Sequence, residues 1–90
     1  MIYMMIKIQA KSEFLKPYYM GVNELKDMLA ILEQKVGESV VIEKMTVIDY
    51  EYQYTNFHYT LEVITDAGTF KVFIDEIPDV DKYNTNIYVA

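Results

Sequence analysis

From residue 48 to residue 74 apolar side chains return at every second position between short turn segments, and that period restricts the fold more than any other feature. Tyr50, Tyr52 and Tyr54 alternate with Asp49, Glu51 and Gln53; Phe57, Tyr59, Leu61 and Val63 alternate with His58, Thr60 and Glu62. Such alternation describes antiparallel strands with one face on a core and one in water. A two-residue turn at Thr55-Asn56 pairs Tyr54 with Phe57, Tyr52 with Tyr59, Tyr50 with Leu61 and Ile48 with Val63, all on one face. The opposite face then carries Asp49, Glu51, Gln53, His58, Thr60 and Glu62, with Glu62 across from Asp49. A second hairpin turns at Asp66-Ala67-Gly68, where glycine supplies a positive φ. Phe70, Val72 and Ile74 extend the apolar face beside Thr65, Val63 and Leu61, and Pro78 ends that strand.

The segment 39–54 is long for one strand. Val40 and Ile42 share a parity that Lys44 and Thr46 interrupt before Ile48 resumes it, so a bend or bulge is expected within 43–46. Upstream, a strand is expected over 2–11, with Met4, Ile6, Ile8 and Ala10 against Met5, Lys7, Gln9 and Lys11. A loop over 12–21 follows, marked by Pro17. The safest element is a helix over 24–36. Leu25, Met28, Leu29, Leu32 and Val36 form one stripe, Asn23 is the expected N-cap, and Gly37 stands where a left-handed C-cap belongs. A short edge strand over 86–89 closes the chain. The whole is an α+β fold, β-α-β-β-β with that final strand, in one domain over residues 1–90. Its sheet is mostly antiparallel, with one helix on one face.

Charge is distributed unevenly. Residues 1–45 carry six lysines and six acids, whereas residues 46–90 carry Lys71 and Lys82 against eight acids, so the formal −6 lies in the second half. There is no arginine, the usual reader of phosphates, and a negative chain is repelled by DNA and by anionic lipid. Direct nucleic-acid binding and a membrane role are therefore not expected. The absence of cysteine removes disulfides and thiolate metal sites, which for a chain this small points to the cytoplasm. No apolar stretch is long enough to span a bilayer, and residues 1–6 lack the basic start and cleavage site of a signal peptide.

Catalytic equipment is thin. His58 is the only histidine, and the three glycines stand apart, which excludes a P-loop and a dinucleotide fingerprint. Asp75, Glu76, Asp79 and Asp81 suggest calcium, but an EF-hand loop opening at Asp79 needs glycine sixth and glutamate twelfth, where Asn84 and Ala90 stand. No cofactor and no metal are expected, nor an enzyme.

The nine tyrosines carry the most information. Tyrosine is a good strand former that packs the margin of a small core, and it is equally an interface residue with a large rigid ring and a polar tip. The residues expected to meet a partner are Asp49, Tyr50, Glu51, Tyr52, Tyr54, Phe57, Tyr59 and Glu62. Three functions fit them. The first is a binding protein that occupies a basic, nucleic-acid-binding surface of another protein, in the manner of inhibitors carried by mobile elements, with carboxylates in place of phosphates and rings in place of bases. The second is a self-associating domain that dimerises through the aromatic face or a free sheet edge. The third is a small enzyme or ligand-binding domain, which requires Asp49, Glu51, Glu62 and His58 in one concavity.

Overall fold

A computed structural model of the protein describes residues 5–90. In chain order the elements are β1 (Met5–Ile8), β2 (Tyr18–Gly21), α1 (Val22–Val36), β3 (Ile42–Gln53), β4 (Asn56–Thr65), β5 (Gly68–Pro78) and β6 (Tyr83–Val89). The architecture is α+β. Strands β3-β4-β5-β6 form one antiparallel sheet, and β1 and β2 form a separate antiparallel pair. Just beyond β1 the backbone bonds to the sheet, where the Val47 N–H donates to the Gln9 carbonyl and the Lys11 N–H to the Val47 carbonyl, both at 2.9 Å.

The helix forms where its stripe demands it. Met28 and Leu32 are fully buried, and Leu25, Leu29 and Val36 pack partly against the same core. Gly37 ends the helix at φ 88°, a left-handed conformation that costs glycine nothing, and its N–H bonds the Glu33 carbonyl at 2.8 Å. At the other end the expectation is corrected: Gly21 is the N-cap and the helix starts at Val22, two residues before the expected start, with Asn23 inside it. The expected loop over 12–21 also ends as a strand. Tyr18 and Met20 alternate inward there against Ile8 and Ile6 of β1. The part of the expected first strand before Met5 lies outside the described residues.

The core lies between α1 and the inner face of the four-stranded sheet. Ile8, Tyr18 and Met20 close one side, and Val47, Leu61, Val63, Val72 and Ile74 form the floor. Each such side chain, taken from water, contributes roughly 1.5–3 kcal/mol before conformational entropy is counted.

Strand β3 departs from the expected pairing in an instructive way. Its register against β4 slips twice, at Glu43 and at Ile48. A bulge places two consecutive residues against one, so each slip reverses the parity of the residues beyond it. Inward positions are therefore Ile42, then Met45 and Val47, then Tyr50 and Tyr52. The first slip falls inside the expected 43–46; the second does not, and it makes Val47 the fully buried residue while Ile48 is only half-buried.

The turn moves in consequence. Tyr50 pairs with Tyr59, Tyr52 with Phe57 and Gln53 with Asn56, so the turn residues are Tyr54 and Thr55 instead of Thr55 and Asn56. Glu62 faces Thr46, and Asp49 faces Thr60, which corrects the expected Asp49–Glu62 juxtaposition. In the next hairpin Gly68 stands at φ 125° after Asp66 and Ala67, and Val63 pairs with Phe70, Leu61 with Val72 and Tyr59 with Ile74. This is two residues off the expected register. Side-chain period is two, so every face assignment survives. Pro78 ends β5 as expected, and the final edge strand is longer than expected, Tyr83–Val89.

Candidate functional site

The helix does not reach the distal end of the β3–β4 hairpin, and there a chain of aromatic rings runs out of the core. Tyr18 is buried at 2% exposure and meets the Tyr59 ring at 4.8 Å between centroids. Tyr59 meets Tyr50 at 5.0 Å, Tyr50 lies 6.5 Å from Phe57, and Phe57 meets Tyr52 at 5.0 Å and Tyr83 at 5.7 Å. These separations suit the tilted and edge contacts that aromatic quadrupoles favour. Exposure climbs along the chain to 56% at Tyr52 and 53% at Tyr83, and Tyr54, in the turn beyond it, is 85% exposed. The tyrosines are therefore core at one end and surface at the other. Residues 12–21 cover only the inner end: Lys16 sets its ammonium 5.7 Å from the Tyr50 ring, and Phe14 stands free in solvent.

Tyr54 and Thr55 hold φ values of 53° and 67°. For tyrosine, and more so for β-branched threonine, this left-handed region is costly, on the order of 1 kcal/mol or more each. An Asn-Gly turn would be easier. The strain is tolerated because the paired rings on either side fix the register, and it leaves Tyr54 at the tip.

The opposite face of the sheet is uncovered, and it is where the acids stand. Asp49 and Glu51 on β3, His58 and Thr60 on β4, and Phe73 and Asp75 on β5 line a shallow hollow of about 340 Å³ with Gln53 and Tyr88. Asp75 is bonded on both oxygens, by His58 Nδ1 at 2.7 Å and by the Tyr88 hydroxyl at 3.0 Å. Partial burial, then the bond to Asp75, raise the Tyr88 phenol above its ordinary range, which keeps it a donor. Phe73 stacks on Tyr88 at 5.3 Å and floors the hollow with apolar surface.

One further acidic group lies on the inner face. The Tyr18 hydroxyl donates to Glu76 Oε1 at 3.1 Å. Burial and then the Glu76 charge push the Tyr18 phenol far above its ordinary range, and burial followed by Tyr50 pushes Tyr59 up to about 12, so both remain neutral and Tyr18 stays a donor to Glu76. Burial also raises Glu76, with Glu24 adding like-charge repulsion and the Tyr18 bond acting in the opposite sense. The folded state thus holds this proton more firmly than the unfolded chain does. The contribution of Glu76 to stability is greatest below its ordinary value of 4.5 and diminishes as pH rises through its raised value. Glu76→Gln, which keeps an oxygen for Tyr18, is accordingly expected to raise Tm by a few degrees at pH 7 and to leave it nearly unchanged at pH 4. Circular-dichroism melts at the two values test this, and an equal shift at both would show that the charge is not the cause.

Of the eight expected partner-binding residues, Tyr50, Tyr52, Phe57 and Tyr59 share the inner face and Asp49 and Glu51 the outer one, as the alternation implies. Tyr54 occupies the turn. Glu62 stands apart, between Thr46 and Lys71 and outside the hollow, so the single concavity required by the third function holds only Asp49, Glu51 and His58. Tyr83 and Lys16 were missed as members of the aromatic chain, and Phe73, Asp75 and Tyr88 as members of the hollow; of the rings in 12–21 that could fold over the hairpin tyrosines, Phe14, Tyr18 and Tyr19, it is Tyr18 that reaches Tyr59. The alternation places Phe73 and Asp75 on the outer face of β5, which was the one signal available; no local pattern links Tyr18 to Tyr59. Among the described residues no group of three or more acids and histidines is arranged to hold a metal ion, and no helix is long and apolar enough to cross a membrane. Comparison with family models, with curated proteins and with solved structures finds no match to this chain.

Proposed function

We propose that this is a non-catalytic binding protein that sets its distal β3–β4 hairpin into a basic, nucleic-acid-binding surface of a protein partner and blocks it, as inhibitors carried by mobile elements do. The observation that carries the reading is the composition of one projection. Between Lys44 and Lys71 the chain has no lysine or arginine, and over that stretch it exposes Tyr52 and Tyr54 on and beyond one face and Asp49 and Glu51 on the other. A groove built for nucleic acid offers cations for phosphates and flat slots for bases, and this hairpin supplies a counterpart to each. Free carboxylates bring long-range attraction to such a surface, while the rings supply contact area at little entropic cost.

The test is a pull-down at low and high salt with wild type beside Tyr52→Ala/Tyr54→Ala, a pair chosen because both rings are exposed and outside the buried core, with circular dichroism showing that the variant stays folded. Wild type is expected to capture a basic protein whose nucleic-acid binding it then inhibits in a competition assay, and the variant is expected to lose capture at least about tenfold. A partner retained equally by the variant, or one that still binds nucleic acid in the complex, would sink the proposal.

A further inference from the structure

The two edges of the four-stranded sheet are built differently. Along β3 the edge is broken by two bulges, carries Glu43, Lys44, Asp49 and Glu51, and is engaged at Val47 by residues 9–11. Those are the usual protections of an edge against another strand. Strand β6 has none of them. Tyr83–Val89 contains no charge, no proline and no bulge, and its register with β5 runs unbroken over all seven residues.

The backbone bonds show which groups β6 leaves free. The Ala90 N–H donates to the Lys71 carbonyl at 3.2 Å and the Asp79 N–H to the Lys82 carbonyl at 2.7 Å. In an antiparallel ladder bonded pairs alternate, so Asn84, Asn86 and Tyr88 spend their backbone groups on β5. Tyr83, Thr85, Ile87 and Val89 turn theirs outward, and among the described residues nothing bonds to them. An open groove of about 390 Å³ runs along this edge, with Asp27, Ala30 and Ile31 of α1 on one wall and Thr85, Asn86 and Ile87 on the other.

We infer that β6 is a docking edge for a second copy of this chain, which pairs with it antiparallel about a two-fold axis through Asn86. A second copy fits because the free backbone groups of β6 lie symmetrically about Asn86 on a strand with no charge to repel its own duplicate. In the register centred on Asn86, Tyr83 meets Val89 and Thr85 meets Ile87, so all four outward residues of each copy find a bonded partner. The axis stands perpendicular to the sheet, so the eight strands form one continuous sheet with both helices on the same side. Each copy's Thr85 and Ile87 side chains then lie beside the partner's groove. Two chains of formal charge −6 repel. The two β6 strands bring no charge of their own to the seam, while Asp27 of each α1 lies beside it, so screening by salt should tighten this association. Binding of the hairpin to a basic surface responds to salt in the opposite sense.

The absence of cysteine makes a sharp test available. In the proposed dimer the two Asn86 residues oppose each other as a non-bonded pair with Cα atoms about 4.5 Å apart, within disulfide range. Asn84 lies two positions off the axis, so two copies of it stand about 13 Å apart and cannot be bridged. Wild type is expected to sediment at twice 10.6 kDa at high concentration. Under oxidation Asn86→Cys is expected to become a covalent dimer while Asn84→Cys does not. Asn86→Lys apposes two cations at the axis and should raise the dimer dissociation constant at least about tenfold with circular dichroism unchanged. A monomeric wild type, or equal cross-linking of the two cysteine variants, would overturn the inference.

Discussion

Leu61→Ala is expected to cost the domain about 3–4 kcal/mol and to lower Tm by about 15–25 °C. Leu61 sits at the middle of β4, an inner strand of the sheet, fully buried and facing Val47 on one side and Val72 on the other. The methylenes it loses are replaced by a cavity between two strands that hold each other in place by backbone bonds, so little collapse can relieve it. A domain of this length has a total stability of roughly 5–13 kcal/mol, so the loss is a large share of the whole. Urea titration followed by circular dichroism measures it, with an unchanged m-value showing that the same surface is still buried. The companion Ile64→Ala, on the half-buried outer face of the same strand, is expected to cost about 1 kcal/mol or less. Similar costs for the two would mean that β4 does not turn Leu61 to the core.

That contrast rests on parity, and parity is where the sequence was most and least legible. For β4 and β5 alternation alone assigns every face, because neither strand bulges and a register error of two residues reverses nothing. The same holds for α1, whose stripe needs no partner to be read. Strand β3 is different. Its apolar residues at 42, 45, 47 and 50 fit no single period, and the two bulges that reconcile them exist because β4 offers Val63 and Leu61 as packing partners for Met45 and Val47. Packing at a distance thus decides which of Val47 and Ile48 is buried. It also moves the turn onto Tyr54 and Thr55, against the local preference for Asn56 in a left-handed conformation. Strand β2 was hidden for a related reason: Tyr18–Gly21 is only four residues long, and its inward pattern becomes meaningful once β1 and the Tyr59 ring are beside it. The candidate site obeys the same rule. Alternation separates its rings from its acids, whereas the graded exposure from Tyr18 to Tyr54 depends on where α1 stops.

Reversing the outer-face acids is expected to have the largest effect on binding. Asp49→Lys/Glu51→Lys changes the local charge by four units on two exposed side chains about 6.7 Å apart along β3, and it leaves the aromatic chain untouched. Against a basic partner this replaces attraction by repulsion. Affinity at low salt is expected to fall by about a hundredfold, most of it through a slower association rate, because charges at the margin of an interface act chiefly on encounter. Raising salt should then close the gap between variant and wild type, since both attraction and repulsion are screened within about 8–10 Å at 0.1–0.15 M. The fold should not suffer, because both residues are exposed and neither bonds to the core. The readout is the association rate by surface-immobilised kinetics across a salt series, with the partner captured by wild type. Tyr52→Ala/Tyr54→Ala serves as the contrast: it removes contact area, so its loss should fall on the dissociation rate and persist at high salt. A charge reversal that left the rate unchanged at low salt would mean that the acids of β3 face solvent in the complex. The hairpin would then dock by its rings alone, and a basic groove would no longer be the surface it fits.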